Sequence, residues 1–344
     1  MAISPLAPAP ATRVAPVGGG RGDGGLLRRL PPRLSFLLRR LGRLVLALAV
    51  VVVATFLLIH LVPGDPVRAA LGPSASPELV AATRTELGLD KPIWQQFLDY
   101  VFGLLRGDLG VSIRTHRSVG DTIAQRFPAT LTLAALAFVI ALAGALVIGM
   151  LTAMASRSIR HRKGGGIASG FLGMLIAVPD FLLAVGLIAL FSVTLHWAPA
   201  AGWGDADQVI LPVLALAVGP MAYLSRIVRV EMLGVLESTY MTTARSKRLP
   251  PQIIYLRHAL PNIVTATLTV GGLLLSGLTA ATVLIEAVFA IPGLGAITVA
   301  AVGGKDYPMI QGVVIVYAVT VLTINLIVDL ILMTLDPRSS IAEG

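Results

Sequence analysis

The sequence predicts an all-α, polytopic membrane protein with six transmembrane helices, and three observations carry that reading. Hydrophobic residues fill 56% of the 344 positions and charged residues only 13%, an apolar excess that a single soluble core of this length would not use. Six stretches, 44–62, 129–154, 167–195, 209–225, 263–285 and 309–335, qualify or nearly qualify as spans, since crossing the hydrocarbon takes about 20 apolar residues in a helix. Lys and Arg, finally, are shared unevenly between the segments that connect these runs.

Taken in order, residues 1–30 are rich in Ala, Pro, Gly and Arg, without periodic apolar positions, and read as a disordered cytoplasmic tail. Residues 31–62 hold an N-terminal segment and the first helix. The run 44–62 is longer than a signal-peptide core and enters HLVPGDP without an A-x-A site, so it reads as a retained helix rather than a cleaved leader. Residues 63–128 form an extracytoplasmic segment, in which KPIWQQFLDYVFGLL sets Trp94, Phe97, Val101 and Leu104 near one helical face, as in a helix lying at the interface or against another chain.

Residues 129–338 make the core, with five further spans and a loop at 231–261, and 339–344 form a C-terminal tail. The second and fifth spans are free of charge. Pro179-Asp180 interrupts the third and marks a kink, the fourth contains Pro212 and Pro220, and the sixth carries Asp329.

With the N-terminus in the cytoplasm, inside segments hold 19 of the 27 Lys and Arg, and the two short outside loops hold only Lys305. The other seven lie in 63–128, which is long enough to be largely exempt from the positive-inside rule. Both termini are therefore expected to be cytoplasmic. The net charge of +9 reports this topology rather than a nucleic-acid ligand. The absence of Cys excludes disulfides, thiolate catalysis and Cys-ligated metal centres. No internal repeat is visible, so a two-fold pathway would require a second chain.

Charge inside a span is costly and usually faces a bundle interior or a wet cavity. Pro179, Asp180 and Glu286 are accordingly candidates for a translocation pathway, although a packing carboxylate fits Asp180 equally well. Asn325 and Asp329 share a helical face and read as polar groups holding spans together. The glycines of GIASG, 166–170, and Gly271-Gly272 read as close-packing surfaces.

The most basic connection is TTARSKRLPPQIIYLRHALP, residues 242–261. Pro250 biases Leu249 out of the α region and should end a first helix, and a second can start at Pro251 and stop before Pro261. In spacing and content this segment resembles the cytoplasmic coupling loop of ABC importer permeases. Further motifs resemble the dipeptide, oligopeptide and nickel branch of that family: LVPGDP (61–66), LGLDKP (87–92), GDLGVSIRTHRSV (107–119), RFPATLTLA (126–134), EAVFAIPGLG (286–295), KDYPMIQGVV (305–314) and NLIVDLILMTLDPR (325–338). They keep the family's order and cover nearly everything after residue 43.

The resemblance implies a type I importer permease fold in the bacterial cytoplasmic membrane. It implies ATPase coupling through Thr243, Ala244, Arg245, Ser246, Lys247, Arg248 and Leu249, with Arg245 and Lys247 as polar anchors. It also implies a surface for an extracytoplasmic substrate-binding protein, with Asp65, Asp108, Pro292, Gly293 and Asp306 as candidates. The partners would be a second homologous permease subunit, two ATP-binding cassette subunits and the lipid bilayer, with no nucleic acid, and the cargo a di- or oligopeptide, or alternatively haem or a nickel chelate. No cofactor is expected on this chain, ATP and Mg²⁺ belonging to the partner subunits. One departure stands out: Arg248 occupies a position usually held by glycine, and Pro250-Pro251 are expected to set the bend instead.

Two other classes of function were weighed. An intramembrane hydrolase would need H-E-x-x-H, G-x-S-x-G or a comparable constellation, yet both motifs are absent and the five histidines are scattered. Gly304-Lys305 is followed by Asp306, where a phosphate loop needs Ser or Thr, so ATP binding by this chain is not expected. A self-sufficient ion-coupled secondary transporter typically shows internal repeats and midplane ion sites, which six spans with few buried charges do not suggest.

Overall fold

The computed structural model describes residues 32–61, 64–157 and 162–335. The two expected tails and most of the RSIRHRK connection lie outside the described residues. Helices α1 (Pro32–Leu61), α5 (Val119–Arg157), α8 (Ala206–Glu237), α11 (Leu260–Val288) and α13 (Tyr307–Leu335) form the bundle, together with α6 (Arg162–Ala177) and α7 (Asp180–Leu187). Five spans are continuous, and the sixth is the pair Gly166–Ala177 and Asp180–Thr194, bent by 100°. Among the described residues there is no strand, only an isolated bridge from Val111 to Ser118.

The bend corrects the expectation of a kink to a complete break. Pro179 has no N–H to return to the preceding turn and holds Val178 away from the α region; its own backbone is extended (φ −60°, ψ 140°), so it ends α6 and starts α7. Farther on, Ile188–Thr194 widens into a π-helix. Pro128, Pro212 and Pro220, by contrast, sit inside continuous helices. The second and fourth spans are consequently longer than expected, reaching Val119–Ser156 and Ala206–Glu237.

Neighbouring residues fix the direction of each crossing. Gly144 lies against Met221 and Gly149 against Val228, so α5 and α8 run parallel. The broken α6–α7 unit must therefore return the chain to its starting end. Arg229 meets Ser169 at 2.8 Å and Asp180 lies beside Gly219, so this unit does cross, antiparallel to α8, and is not a re-entrant loop. Glu286 meets Thr130 while Gly271 lies against Phe138, making α11 antiparallel to α5. Ser276 reaches Asn325 and Arg40 reaches Asp329, which sets α13 against α11 and α1 against α13. Six alternating crossings result. The starts of α1 and α11 and the ends of α5, α8 and α13 share one end of the bundle, here the proximal end; α2 (Pro66–Leu71), α3 (Pro77–Glu86), α4 (Ile93–Leu105), the hairpin closed by the Val111–Ser118 bridge and α12 (Leu294–Gly304) occupy the distal end.

The α5–α8 seam depends on small residues. A Cβ at Gly149 would meet the Val228 side chain and the Ser225 carbonyl, while Ala137, Ala141 and Ala145 are wholly buried. Lipid tails are as apolar as leucine, so close backbone approach and dispersion, rather than exclusion of water, hold such a seam. Gly272 repeats the device against Val328, as expected of Gly271-Gly272. Gly166 and Gly170 do not: nothing lies within 4 Å of their Cβ positions, so these two glycines provide no close-packing surface among the described residues.

At the distal end α4 (Ile93–Leu105) rests on α1, with the Phe97 ring edge-on to Phe56 at 5.1 Å and the Tyr100 hydroxyl 3.1 Å from Thr55 Oγ1. His60 bonds the Phe56 carbonyl and Gln96, a packing role. Trp94 does not join this inward face: it is exposed with Leu98, Phe102 and Leu105, one helical stripe on the opposite side.

Candidate coupling surface and the buried carboxylates

Helix α9 (Thr239–Ser246) follows α8 after a single extended residue, Ser238, and caps the proximal end. Its inward face is small and apolar. Met241 and Ala244 are buried, Met241 within a cluster of Ala153, Val228, Met232, Leu236, Ile254, Ala259 and Ile263 to which Leu249 also packs. The remaining side of α9 exposes Tyr240, Thr242, Thr243, Arg245 and Ser246, and the following Lys247 and Arg248 are exposed as well. Of the seven residues expected to contact an ATPase, Ala244 thus turns inward, Leu249 is half-buried and five lie at the surface.

Two contacts hold this corner. Arg245 Nη2 donates to the Leu236 carbonyl at 2.6 Å, one of the acceptors left unsatisfied at the end of α8. Asn262 Nδ2 donates to the Tyr240 hydroxyl at 3.1 Å, tying α9 to the start of α11. Arg245 therefore braces the corner internally, which leaves Lys247 and Arg248 as its outward cations.

The turn corrects two expectations. The helix ends before Pro250, at Ser246 with Lys247 as its cap, and the bend is set by Arg248, whose φ of +52° is left-handed despite its side chain. An L-residue there costs roughly 1–2 kcal/mol. The geometry a glycine would provide is kept, with strain, and Pro250-Pro251 do not replace it. The second helix starts at α10 (Pro251–Ile253) as expected but does not stop at Pro261. A π-helical turn, Ile254–Ala259, widens the coil just before the proline and carries the chain directly into α11.

Glu286 is fully buried near the distal end of α11. Its carboxylate accepts from Thr130 Oγ1 at 2.7 Å, from the Gly295 N–H at 2.6 Å and from the Ala296 N–H at 3.3 Å. Thr130 Oγ1 in turn accepts from the Leu294 N–H at 2.8 Å. The carboxylate thereby caps the first turn of α12 (Leu294–Gly304), where free N–H groups and the helix dipole favour negative charge. A Cβ on Gly293 would collide with this carboxylate, and one on Gly295 would meet the Val283 backbone first and the carboxylate second, so Gly293 makes room for Glu286 and Gly295 lets α12 approach α11. In this conformation Glu286 ties α5, α11 and α12 together.

Asp180 differs. It is half-buried at the α6–α7 break, alongside Gly219 and followed by exposed Phe181 and Leu182, and no hydrogen bond or ion pair joins its carboxylate to the described residues. Of the two candidates for a pathway carboxylate, it alone is open to a ligand.

The residues expected to face a binding protein all lie at the distal end but divide by burial. Asp108 and Pro292 are exposed, Asp108 accepting from the Gly110 N–H in a tight turn at 2.8 Å. Asp65 caps α2 (Pro66–Leu71) and lies 3.5 Å from Arg84. Gly293 and Asp306 are buried. Asp306 bonds Ser112 Oγ and accepts from the Ile113 N–H at 3.2 Å, clamping the hairpin onto the α12–α13 corner. Sequence reasoning missed Thr130, Ser112 and Arg229 as structural partners. Arg229 donates to Ser169 and to Ser156, at 2.8 and 3.0 Å, inside the proximal half of the bundle. The motifs contained Thr130 and Ser112, but their partners lie 156 and 194 residues away.

Six alternating spans, a polar corner between the fourth and fifth, and a capped distal module define the class: a multi-pass membrane permease. The chain belongs to the family of binding-protein-dependent transport system inner membrane components, whose model matches residues 145–341, and the N-terminal component of such systems matches 33–134. It is 37% identical over 312 residues to a putative peptide transport system permease protein of Brucella abortus, covering 88% of this chain and 98% of that protein. It is 36% identical over 309 residues to the dipeptide transport system permease protein DppB of Lactococcus lactis, with the same coverages. Over 304 residues it is 34% identical to the glutathione transport system permease protein GsiC of Escherichia coli, again across 88% and 98%. Among solved structures, the inward-facing MetNI methionine ABC transporter aligns with a TM-score of 0.55 at 19% identity, over 62% of this chain and 96% of that one, a likeness of fold.

Proposed function

We propose that this chain is one transmembrane subunit of an ATP-driven importer of di- or oligopeptides. It pairs with a second, homologous permease; two ATPase subunits hold ATP and Mg²⁺, and an extracytoplasmic binding protein delivers cargo to the distal end. The observation that carries this reading is the braced proximal corner. Helix α9 is buried on one face, anchored at Arg245 and Asn262, and presents Lys247 and Arg248 outward. A force applied at its tip passes into α8 and α11 through a packed interface rather than through a slack loop. The relatives named for peptide, dipeptide and glutathione transport support the cargo class.

In the resulting cycle, nucleotide-driven closure of the ATPases displaces the two corners of the permease pair and rocks the spans between inward- and outward-open states. The bias comes from the difference in ATP affinity between those states. Asp180, unpartnered at mid-bundle, is assigned to the pathway, where it would face a cationic group of the cargo. Asp108 and Pro292 are assigned to the binding-protein surface.

The reading is tested by Lys247→Glu combined with Arg248→Glu. The expected result is an assembled complex in which ATP hydrolysis no longer drives peptide uptake. Unchanged uptake by that variant would remove the assignment.

A further inference from the structure

At the proximal end, α1, α11 and α13 enclose a cleft of about 320 Å³ lined by Leu44, Leu273, Leu326 and Leu332 together with Arg40 and Arg43. We propose that this cleft binds a phospholipid with a net negative headgroup, the phosphate seated between Arg43 and Arg40 and an acyl chain lying along the leucines. The proposal rests on the membrane placement of these spans and is independent of the cargo.

Three features select this occupant. The cleft lies along the proximal halves of three spans, and Leu273 is 69% exposed at its edge, a large apolar side chain left uncovered at hydrocarbon depth. Its charged lining is cationic in excess. Arg40 forms an ion pair with Asp329, the acidic residue lining the cleft, whereas Arg43 makes no ion pair among the described residues. Guanidinium forks match phosphate oxygens geometrically, and basic pockets between spans on the cytoplasmic side suit anionic headgroups. Arg43 also lies about one helical turn deeper along α1 than Arg40, a position from which a long basic side chain can reach the headgroup layer.

A lipid held there would bridge α1 to α11 and α13. Direct contact between α1 and α13 is otherwise secured by Arg40–Asp329 at the proximal end and by Gln311 Nε2 donating to the Thr55 carbonyl at 2.8 Å towards the distal end. The bound lipid adds a third tie over the apolar stretch between them.

The test places the full-length chain in bilayers of equal parts phosphatidylglycerol and phosphatidylcholine, extracts it gently and counts the retained lipids by native mass spectrometry. One arginine near the membrane surface favours an anionic lipid by roughly fivefold. The expected result is enrichment of that order for phosphatidylglycerol, falling toward parity in Arg43→Gln with an unchanged melting temperature. Leu273→Trp, which fills the cleft from its wall, should lower total retention with no change at Arg43, and it tests the site even if the arginine variant fails to fold. Equal retention of the two lipids by the unaltered chain overturns the proposal, as does a preference that survives both substitutions. It is overturned too if Leu273→Cys cross-links to a second permease chain, since the cleft would then be covered by protein. None of these readouts depends on transport, so failure here leaves the importer reading untouched.

Discussion

Replacing Glu286 with Ala separates a structural lock from a pathway carboxylate. The side chain accepts three hydrogen bonds, two from backbone N–H groups in the first turn of α12 and one from Thr130. Truncation leaves the Gly295 N–H buried without a partner and the Ala296 N–H partly so, each costing about 1–3 kcal/mol, and loses the favourable carboxylate at a helix start. Thr130 retains its bond from Leu294 and loses only its acceptor. Destabilisation of roughly 3–5 kcal/mol follows. Glu286→Gln keeps the shape and one acceptor oxygen and should cost about half as much, since it forfeits charge assistance without opening a cavity. Thermal unfolding of the purified assembly in mild detergent, with limited proteolysis across 289–306, reads both. The predicted pattern is early melting with faster cleavage in Ala and an intermediate Gln. Ala protein that melts normally and resists protease yet has lost uptake would refute the lock and return Glu286 to the pathway.

Other expectations follow from the same geometry. Arg248→Gly should raise the stability of the proximal corner by up to about 1 kcal/mol, because it relieves a left-handed φ of +52°, and slower hydrogen exchange at 243–250 would show it. Asp306→Ala should release the hairpin at Ser112 and Ile113, seen as protease cleavage within 108–118 while the spans stay intact. Gly149→Leu drives a side chain into Val228 and the Ser225 carbonyl and should abolish folded protein, whereas Gly166→Ala, with open space around it, should change nothing measurable by expression and melting. Asp180→Asn should leave folded protein with altered uptake, since no hydrogen bond within the described residues is lost; wild-type uptake would remove Asp180 from the pathway.

The spans were legible because membrane crossing imposes a length and a composition that no tertiary contact can override. Their ends were not. Helices α5 and α8 outrun their apolar cores because Val119–Pro128 and Arg226–Glu237 continue the coil outside the hydrocarbon, where charge carries no penalty. Prolines misled in both directions. Pro179 broke a helix outright, whereas Pro261 follows a π turn that carries the chain straight into α11. The proximal corner was legible in its basic, proline-rich sequence, but its division into inward Met241 and Ala244, bracing Arg245 and outward Lys247 and Arg248 depends on packing against α8 and α11. Glu286 drew attention as a charge at the end of a span. That it caps a helix required knowing where the N–H groups of Gly295 and Ala296 fall.

The proposed importer places the α9 corner in the cytosol, covered there by a partner subunit. The chain contains no cysteine, so Lys247→Cys supplies a single reporter thiol. Labelling with a membrane-impermeant maleimide in intact cells and in inside-out vesicles tests this placement directly. Reaction is expected only in inside-out vesicles, and there only after the ATPase subunits have been stripped. Reaction from outside intact cells, or labelling indifferent to the presence of those subunits, would contradict that placement.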